Sequence, residues 1–118
     1  MGTKWNNQEW MPVAGETDES LEGKIVYLAG PMRGIEKLNR PAFYSAEDCL
    51  RQEGALVLNP ARLPIGMPQN AYMPICLAML EQADMIVVLP GWEFSEGAIT
   101  EVAYARMQGK FFMELAHA

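Results

Sequence analysis

Residues 85–101, MIVVLPGWEFSEGAITE, decide the fold that this chain is expected to adopt. The segment opens with an unbroken apolar run, which is typical of a strand buried on both faces of a parallel sheet. A loop with proline and glycine follows, and Ser95 precedes a helical pattern that continues to about Gln108. The segment therefore predicts a strand, a loop and a helix start, an arrangement that holds anions or sugar phosphates in α/β proteins.

The predicted helix start places a carboxylate near an almost bare backbone turn. Ser95 is a good N-cap, because its hydroxyl accepts a backbone N–H of the first turn. Gly97 and Ala98 leave that turn open to a ligand. Glu101 follows on the same side of the helix and leans toward its N-terminus, where the helix dipole is expected to favour the charged form and so a nucleophile. The alternative is that Ser95 only caps the helix and that Glu101 is a solvated surface acid.

The rest of the chain predicts alternating strands and helices. Strands are expected at residues 24–29, 55–58, 84–89 and 111–113, and helices at 41–53, at 71–82 and within 91–108. This order predicts one α/β domain over residues 23–118, flavodoxin-like or Rossmann-like, with a parallel sheet of about four or five strands flanked by helices. Residues 1–22 are polar and rich in turn formers, and they predict an irregular N-terminal arm.

Composition narrows the function classes. The chain has 118 residues, a net charge of −6 and a pI near 4.7, which disfavours a nucleic-acid polymer as partner. No apolar run reaches the ~18 residues of a membrane span, so no membrane partner is expected. Cys49 and Cys76 have no CxxC spacing and His117 is the single histidine, so no metal site is expected. No other cofactor is expected either. We expect a cytoplasmic protein with reduced thiols.

Two loops of the predicted sheet are expected to border one crevice. Ligands of open α/β sheets bind beyond the carboxyl ends of the strands, and the loops at residues 30–34 and 90–95 both leave those ends. Arg33 offers a bidentate fork to a phosphate, and Tyr27 can place its hydroxyl beside a carboxylate. In isolation Arg33 would be a loop cation and Tyr27 a core aromatic. Together with Glu101, they predict a pocket for a phosphorylated sugar.

The motifs YLAGPMRG at residues 27–34, Ala83-Asp84 and Ser95-x-Gly97-x-x-x-Glu101 together resemble the nucleoside 2-deoxyribosyltransferase superfamily. Within it, the likeness is to small, uncharacterised domains of phages and bacteria that carry a Leu-Pro-Gly-Trp-Glu segment, here residues 89–93. The resemblance extends over residues 25–113. It implies a sheet with flanking helices and a substrate that is a small nucleotide or nucleoside.

The resemblance also implies roles for individual residues. In the superfamily a glutamate attacks the anomeric carbon and expels the base; Glu101 matches that nucleophile, and Tyr27 matches the tyrosine that orients it. Transferases acting on free nucleosides have an aspartate at the position of Ser95, whereas the 5′-monophosphate N-glycosidases have a serine and an Arg-Gly loop. Serine at a helix N-terminus attracts a phosphate dianion that an aspartate would repel. The implied substrate-binding residues are Gly30, Pro31, Met32, Arg33, Gly34, Gly91, Trp92, Ser95, Gly97 and Ala98.

The chain departs from the superfamily at the general-acid position. Relatives carry an aspartate eight residues before the position of Asp84, where it assists at the base, and this chain has Cys76. Relatives also complete the site with a residue from a neighbouring subunit. Apolar residues on the second and third helices predict a homodimer or a larger homo-oligomer. The alternative is that the arm with Trp5 and Trp10 folds over these helices.

The function expected from the sequence is an N-glycosidase or deoxyribosyltransferase acting on a 2′-deoxynucleoside 5′-monophosphate, through a glycosyl-enzyme on Glu101. One alternative is a nucleotide-binding module without catalysis, a sensor or sponge in which Cys76 marks the lost acid. Another is a phosphoribohydrolase on nucleoside monophosphates. Those enzymes have a related glycine-rich loop, but Trp92-Glu93 replaces its glycines here.

Overall fold

The structure, a computed structural model, describes residue 5, residues 9–15 and residues 20–118. In this part of the chain, five strands and three helices form one α/β unit. The strands are β1 (Trp10–Gly15), β2 (Ile25–Ala29), β3 (Leu56–Leu58), β4 (Met85–Val88) and β5 (Phe111–His117). The helices are α1 (Arg40–Gln52), α2 (Gln69–Glu81) and α3 (Glu96–Met107). The predicted alternation of strands and helices from residue 24 onward is therefore confirmed.

The five strands form one sheet in the order β1-β5-β4-β2-β3. Strands β2 to β5 run parallel to one another, as in a flavodoxin-like fold. The direction in which successive strands are added reverses at β2: β3 lies on one side of β2, and β4 lies on the other. This is the point at which open α/β sheets bind ligands beyond the carboxyl ends of their strands. The fold therefore brings together the two loops that the sequence places at one crevice.

Side chains of the parallel strands alternate between two apolar cores. Val26 and Leu28 face the core that contains α1, whereas Tyr27 and Ala29 face the core that contains α2 and α3. The two sets follow from the period of two along a strand. Because both faces are covered, the parallel strands are apolar along most of their length. The three layers hold the carboxyl edge of the sheet between α1 on one face and α2 and α3 on the other.

Two expectations are wrong, one about the direction of the strands in the sheet and one about the N-terminal arm. Trp10–Gly15 forms an antiparallel strand against β5, so the sheet is mixed rather than parallel, and this part of the arm is not irregular. The pairing contains a bulge between Pro12 and Ala14, and it extends β5 beyond the predicted residues 111–113 to His117. Proline is tolerated because β1 is the edge strand. Residues 1–4, 6–8 and 16–19 of the predicted arm lie outside the described residues.

The tryptophans of the arm pack on the α1 side of the sheet. Trp10 belongs to the α1 core and donates a hydrogen bond from Nε1 to Ser45 Oγ at 2.8 Å. Trp5 packs against the same core. These two side chains therefore do not cover α2 and α3, and Ile75, Ile99 and Met107 on those helices are exposed with respect to the described residues. Assembly through α2 and α3 remains a proposal. Among the described residues, no helix has both the length and the apolar character to cross a membrane.

Candidate active site

A cavity of about 630 Å³ opens at the carboxyl edge of the sheet, between the ends of β2 and β4. Its volume lies in the range of small-molecule sites. Ten of the residues expected from the sequence line it: Tyr27, Gly30, Pro31, Met32, Arg33, Cys76, Ser95, Gly97, Ala98 and Glu101. The structure thus brings together side chains from β2, α2 and α3 that are up to 74 residues apart in the chain.

A buried tyrosine–glutamate pair belongs to the wall of this cavity. Tyr27 Oη donates a hydrogen bond to Glu101 Oε2 at 2.8 Å, as the sequence predicts. Tyr27 is 0% exposed and Glu101 is 8% exposed. The hydroxyl therefore fixes one carboxylate oxygen and holds the group in one orientation. Cys76 lies in the same core and interacts with both side chains.

Burial decides the electrostatics of this pair. It raises the pKa of Glu101 from 4.5 to about 7, although hydrogen bonds from Tyr27 and Cys76 act in the opposite direction. Burial also raises the pKa of Cys76 to about 11 and the pKa of Tyr27 well above its usual value. The expectation that the charged form of Glu101 is favoured is therefore wrong, because desolvation of the buried carboxylate outweighs the favourable interactions. At neutral pH the tyrosine and the thiol keep their protons, and the glutamate lies close to its midpoint.

This pKa predicts that Glu101 makes the fold less stable as pH rises. Between pH 4.5 and 7 the folded chain retains a proton that the unfolded chain releases. The free energy of unfolding should therefore fall through this window, by about 3 kcal/mol once Glu101 is ionised. Glu101→Gln removes the titration. Urea unfolding at pH 5 and pH 8 should show the variant gaining stability relative to wild type as pH rises, and an equal pH dependence in both proteins would contradict the assignment.

The N-terminus of α3 forms one side of the cavity mouth. Ser95 Oγ accepts a hydrogen bond from the Ala98 amide at 3.2 Å, which confirms the predicted cap. Its hydroxyl proton can still be donated, and the first-turn amides have no partner within the helix. Arg33 and Glu96 also line the cavity and are exposed. The mouth therefore offers a hydroxyl, helix amides and a guanidinium to an anion, with one carboxylate beside them.

Three of the expected binding residues lie outside the cavity wall. Two of them are glycines that allow tight turns, and the third packs in a core. Gly34 and Gly91 adopt left-handed conformations, with φ of 80° and 88°, which favour glycine. A Cβ on Gly91 would lie 3.3 Å from Pro31 Cγ, so Gly91 lets the two loops approach each other. Trp92 packs edge-on against Phe112 in the α2–α3 core, with ring centroids 5.8 Å apart.

The sequence did not indicate several other parts of the wall. These residues come from the start of α1, the loop before α2, α2 itself and the turn before α3: Leu38, Arg40, Phe43, Pro60, Leu63, Ile65, Gly66, Met67, Gln69, Tyr72, Met73 and Phe94. The loop at residues 59–70 holds three prolines, and a loop of this length is often functional, but the sequence does not single out its individual residues. Arg40 could have been found, because it opens α1, the helix that follows β2, and so lies at the same edge of the sheet.

Comparison with known protein families identifies the family of this chain. The profile described as "Domain of unknown function (DUF4406)" matches residues 24–114, which is most of the chain. The chain belongs to the DUF4406 family. The match begins just before β2 and ends within β5, so the family profile spans the strands and helices that form the cavity. No curated protein sequence matches this DUF4406 chain.

A solved structure shows the same fold as this DUF4406 domain. The chain is similar to a 2-desoxiribosyltransferase from Leishmania mexicana, with a TM-score of 0.64 and 19% sequence identity. The alignment covers 77% of this chain and 63% of the Leishmania chain, so the DUF4406 chain matches less than two thirds of that protein. The nucleoside 2-deoxyribosyltransferase-like fold expected from the motifs is confirmed. In the described part of the chain, no group of three His, Cys, Asp or Glu side chains is arranged to hold a metal ion.

Proposed function

We propose that the protein cleaves the base–sugar bond of a 2′-deoxynucleoside 5′-monophosphate, as an N-glycosidase or a deoxyribosyltransferase. The observation that carries this proposal is the hydrogen bond of 2.8 Å between Tyr27 Oη and Glu101 Oε2, buried in the wall of the cavity. A solvated surface acid would not have this burial or a fixed orientation. The similarity to a deoxyribosyltransferase fold supports the same class of substrate.

The proposed chemistry is a double displacement at the anomeric carbon. A Glu101 carboxylate oxygen forms an ester bond to that carbon while the bond to the base breaks, and the electron pair leaves with the base nitrogen. The base takes a proton from solvent. Water or a second base then attacks the same carbon and releases Glu101 as the carboxylate. Tyr27 keeps the carboxylate oriented, and its raised pKa keeps its hydroxyl a hydrogen-bond donor.

A monophosphate fits the mouth better than a 5′-hydroxyl does. Ser95 and the first-turn amides of α3 provide neutral donors at the positive end of a helix dipole. Arg33 adds a full charge with a geometry that suits phosphate oxygens. These groups favour a dianion near α3, so the sugar can lie with its anomeric carbon toward Glu101, one turn further along the helix.

Removing either phosphate-binding side chain should weaken nucleotide binding selectively. Arg33→Ala and Ser95→Ala should each weaken the binding of a 2′-deoxynucleoside 5′-monophosphate by about 1–3 kcal/mol, the range of a charge-assisted hydrogen bond. The matching nucleoside should bind nearly as it does to wild type. Titration calorimetry with both ligands measures the difference. Equal losses for nucleotide and nucleoside would show that these side chains do not contact a phosphate.

The function itself is tested by product analysis. Wild-type protein is incubated separately with the four 2′-deoxynucleoside 5′-monophosphates, their nucleosides and the corresponding ribonucleotides, and free base is measured by chromatography. We expect base release from at least one deoxynucleotide and slower release from its nucleoside. Glu93→Gln changes an exposed carboxylate outside the cavity wall, and it serves as the matched control for the substitution of Glu101.

A second candidate function, nucleotide binding without cleavage, is favoured by Cys76. This side chain lines the cavity beside Glu101, and its pKa of about 11 keeps it a neutral thiol that cannot serve as a carboxylic acid for the departing base. Binding of a deoxynucleotide without any release of base would establish the binding module. Release of base by wild type would exclude it.

A further inference from the structure

Arg40 contributes a second cation to the cavity, from the face of the sheet opposite to α3. It is the first residue of α1, it is half-buried, and it lines the cavity. Ser95, by contrast, is the N-cap of α3 on the other face. The cavity lining thus includes the N-terminus of α3 on one face of the sheet and an arginine of α1 on the other.

The guanidinium of Arg40 is held in place by its own helix and by the loop after β3. Arg40 Nη2 donates a hydrogen bond to Tyr44 Oη at 2.7 Å, and Tyr44 Oη donates in turn to the carbonyl of Ala61 at 3.2 Å. On the same tyrosine ring, Arg62 stacks with its guanidinium carbon 5.0 Å from the centroid. Tyr44 is thus fixed by three neighbours, and it fixes one N–H of Arg40. A guanidinium has five N–H donors, so most of its donor capacity is left for a ligand.

The backbone before Arg40 is strained in a way that sets its position. Lys37, Leu38 and Asn39 have φ of 56°, 55° and 59°, all in the left-handed region that is unfavourable for L-amino acids. Asn39 Nδ2 donates to the carbonyl of Pro31 at 2.8 Å and so ties this turn to the loop that carries Arg33. Such strain persists where surrounding contacts enforce it, often at binding sites. The turn therefore joins the two arginine-bearing segments of the mouth.

The arginines of this region differ in their charge partners. Arg62 and Arg51 both form ion pairs with Glu47, at 2.9 and 3.3 Å. Within the described part of the chain, neither Arg33 nor Arg40 forms an ion pair with a carboxylate. The chain carries a net charge of −6, so cations left without a carboxylate at a cavity mouth are well suited to a ligand anion.

We propose that Arg40 is a specificity-determining residue that binds the phosphate of the substrate together with Arg33, and that Tyr44 is the residue that positions it. The inference rests on the proposed function for the identity of the ligand as a nucleoside monophosphate, but not on its cleavage. A positioned guanidinium loses less conformational freedom on binding than a free side chain does, so the contact contributes more to affinity.

Binding measurements test this role without requiring turnover. A 2′-deoxynucleoside 5′-monophosphate and its nucleoside are titrated by calorimetry into wild type, Arg40→Ala, Arg40→Lys and Tyr44→Phe. Arg40→Ala should lower the affinity for the monophosphate about 10- to 100-fold, the range of a charge-assisted hydrogen bond, and leave the nucleoside within about twofold. Arg40→Lys should retain part of the affinity, because it keeps the charge without the fork. Tyr44→Phe should cause a smaller, equally selective loss.

The matched control is Arg51→Ala, which removes a cation of the same helix that does not line the cavity. This variant should bind both ligands as wild type does. If Arg40→Ala weakens both ligands equally, or neither, or if wild type binds no monophosphate, the inference is overturned. If Arg40→Ala is unstable, Arg40→Lys and Tyr44→Phe decide in the same way. Selective loss of binding in a protein that releases no base would support Arg40 and refute the proposed cleavage, so the two failures are distinguishable.

Discussion

Glu101→Gln is expected to lower base release by a factor on the order of 10³ or more, because the amide cannot form the glycosyl ester. Binding of the nucleotide should persist, since the variant keeps the size of the side chain and its hydrogen bond to Tyr27. The rate of wild type should also rise with pH through about 7, because attack requires the ionised carboxylate and the pKa of Glu101 is about 7. Single-turnover assays with purified wild type and variant measure both effects.

Two controls make the Glu101 result specific. Glu93→Gln changes a carboxylate in the turn just before α3, outside the cavity wall, and it should cleave at the wild-type rate. Circular dichroism and nucleotide binding show whether Glu101→Gln is folded. Turnover close to that of wild type in a folded Glu101→Gln protein would show that Glu101 is not the nucleophile.

Trp10→Ala is expected to destabilise the fold by about 3–5 kcal/mol, the range for deleting a buried tryptophan. The side chain is 1% exposed, donates to Ser45 Oγ at 2.8 Å and stacks on His117 with ring centroids 4.2 Å apart. Its loss leaves a cavity in the α1 core and weakens the pairing of β1 with β5. Urea unfolding followed by circular dichroism measures the change.

Met11→Ala provides the control at the next position of β1, where the side chain is 45% exposed. It should change the free energy of unfolding by less than about 1 kcal/mol. A similar small effect for Trp10→Ala would contradict the role of β1 as part of the folded domain.

The elements that the sequence predicts well are those whose signal is local. Residues 85–88 are apolar on both faces of the sheet, and Ser95 caps the helix that follows, so strand, loop and helix start were recognisable together. Strand β1 was not recognisable, because Pro12 and Gly15 within it suggest a turn. Only its pairing with β5, across a bulge and about 100 residues of chain, stabilises it as an edge strand. That contact is tertiary and leaves no local pattern.

The candidate site was predictable in part for the same reason. Tyr27 and Glu101 follow from a strand end and a helix start that meet at one sheet edge, and their hydrogen bond confirms it. The raised pKa of Glu101 could not be predicted, because it depends on how completely α2 and α3 exclude water from the side chain. Arg40 opens the helix that follows β2, which was a usable signal for the sheet edge. The left-handed turn that sets its position has no such signal, because none of its three residues is glycine.

The stereochemistry of the sugar product tests most directly whether Glu101 is a nucleophile in base–sugar cleavage. Wild type is incubated with a 2′-deoxynucleoside 5′-monophosphate in water containing methanol, and the methyl glycoside formed at the anomeric carbon is analysed by NMR. A glycosyl-enzyme gives two displacements, so we predict that the methyl glycoside retains the configuration of the nucleotide. An inverted product would show direct displacement without an ester on Glu101. That result, or intact nucleotide after incubation, would contradict the account.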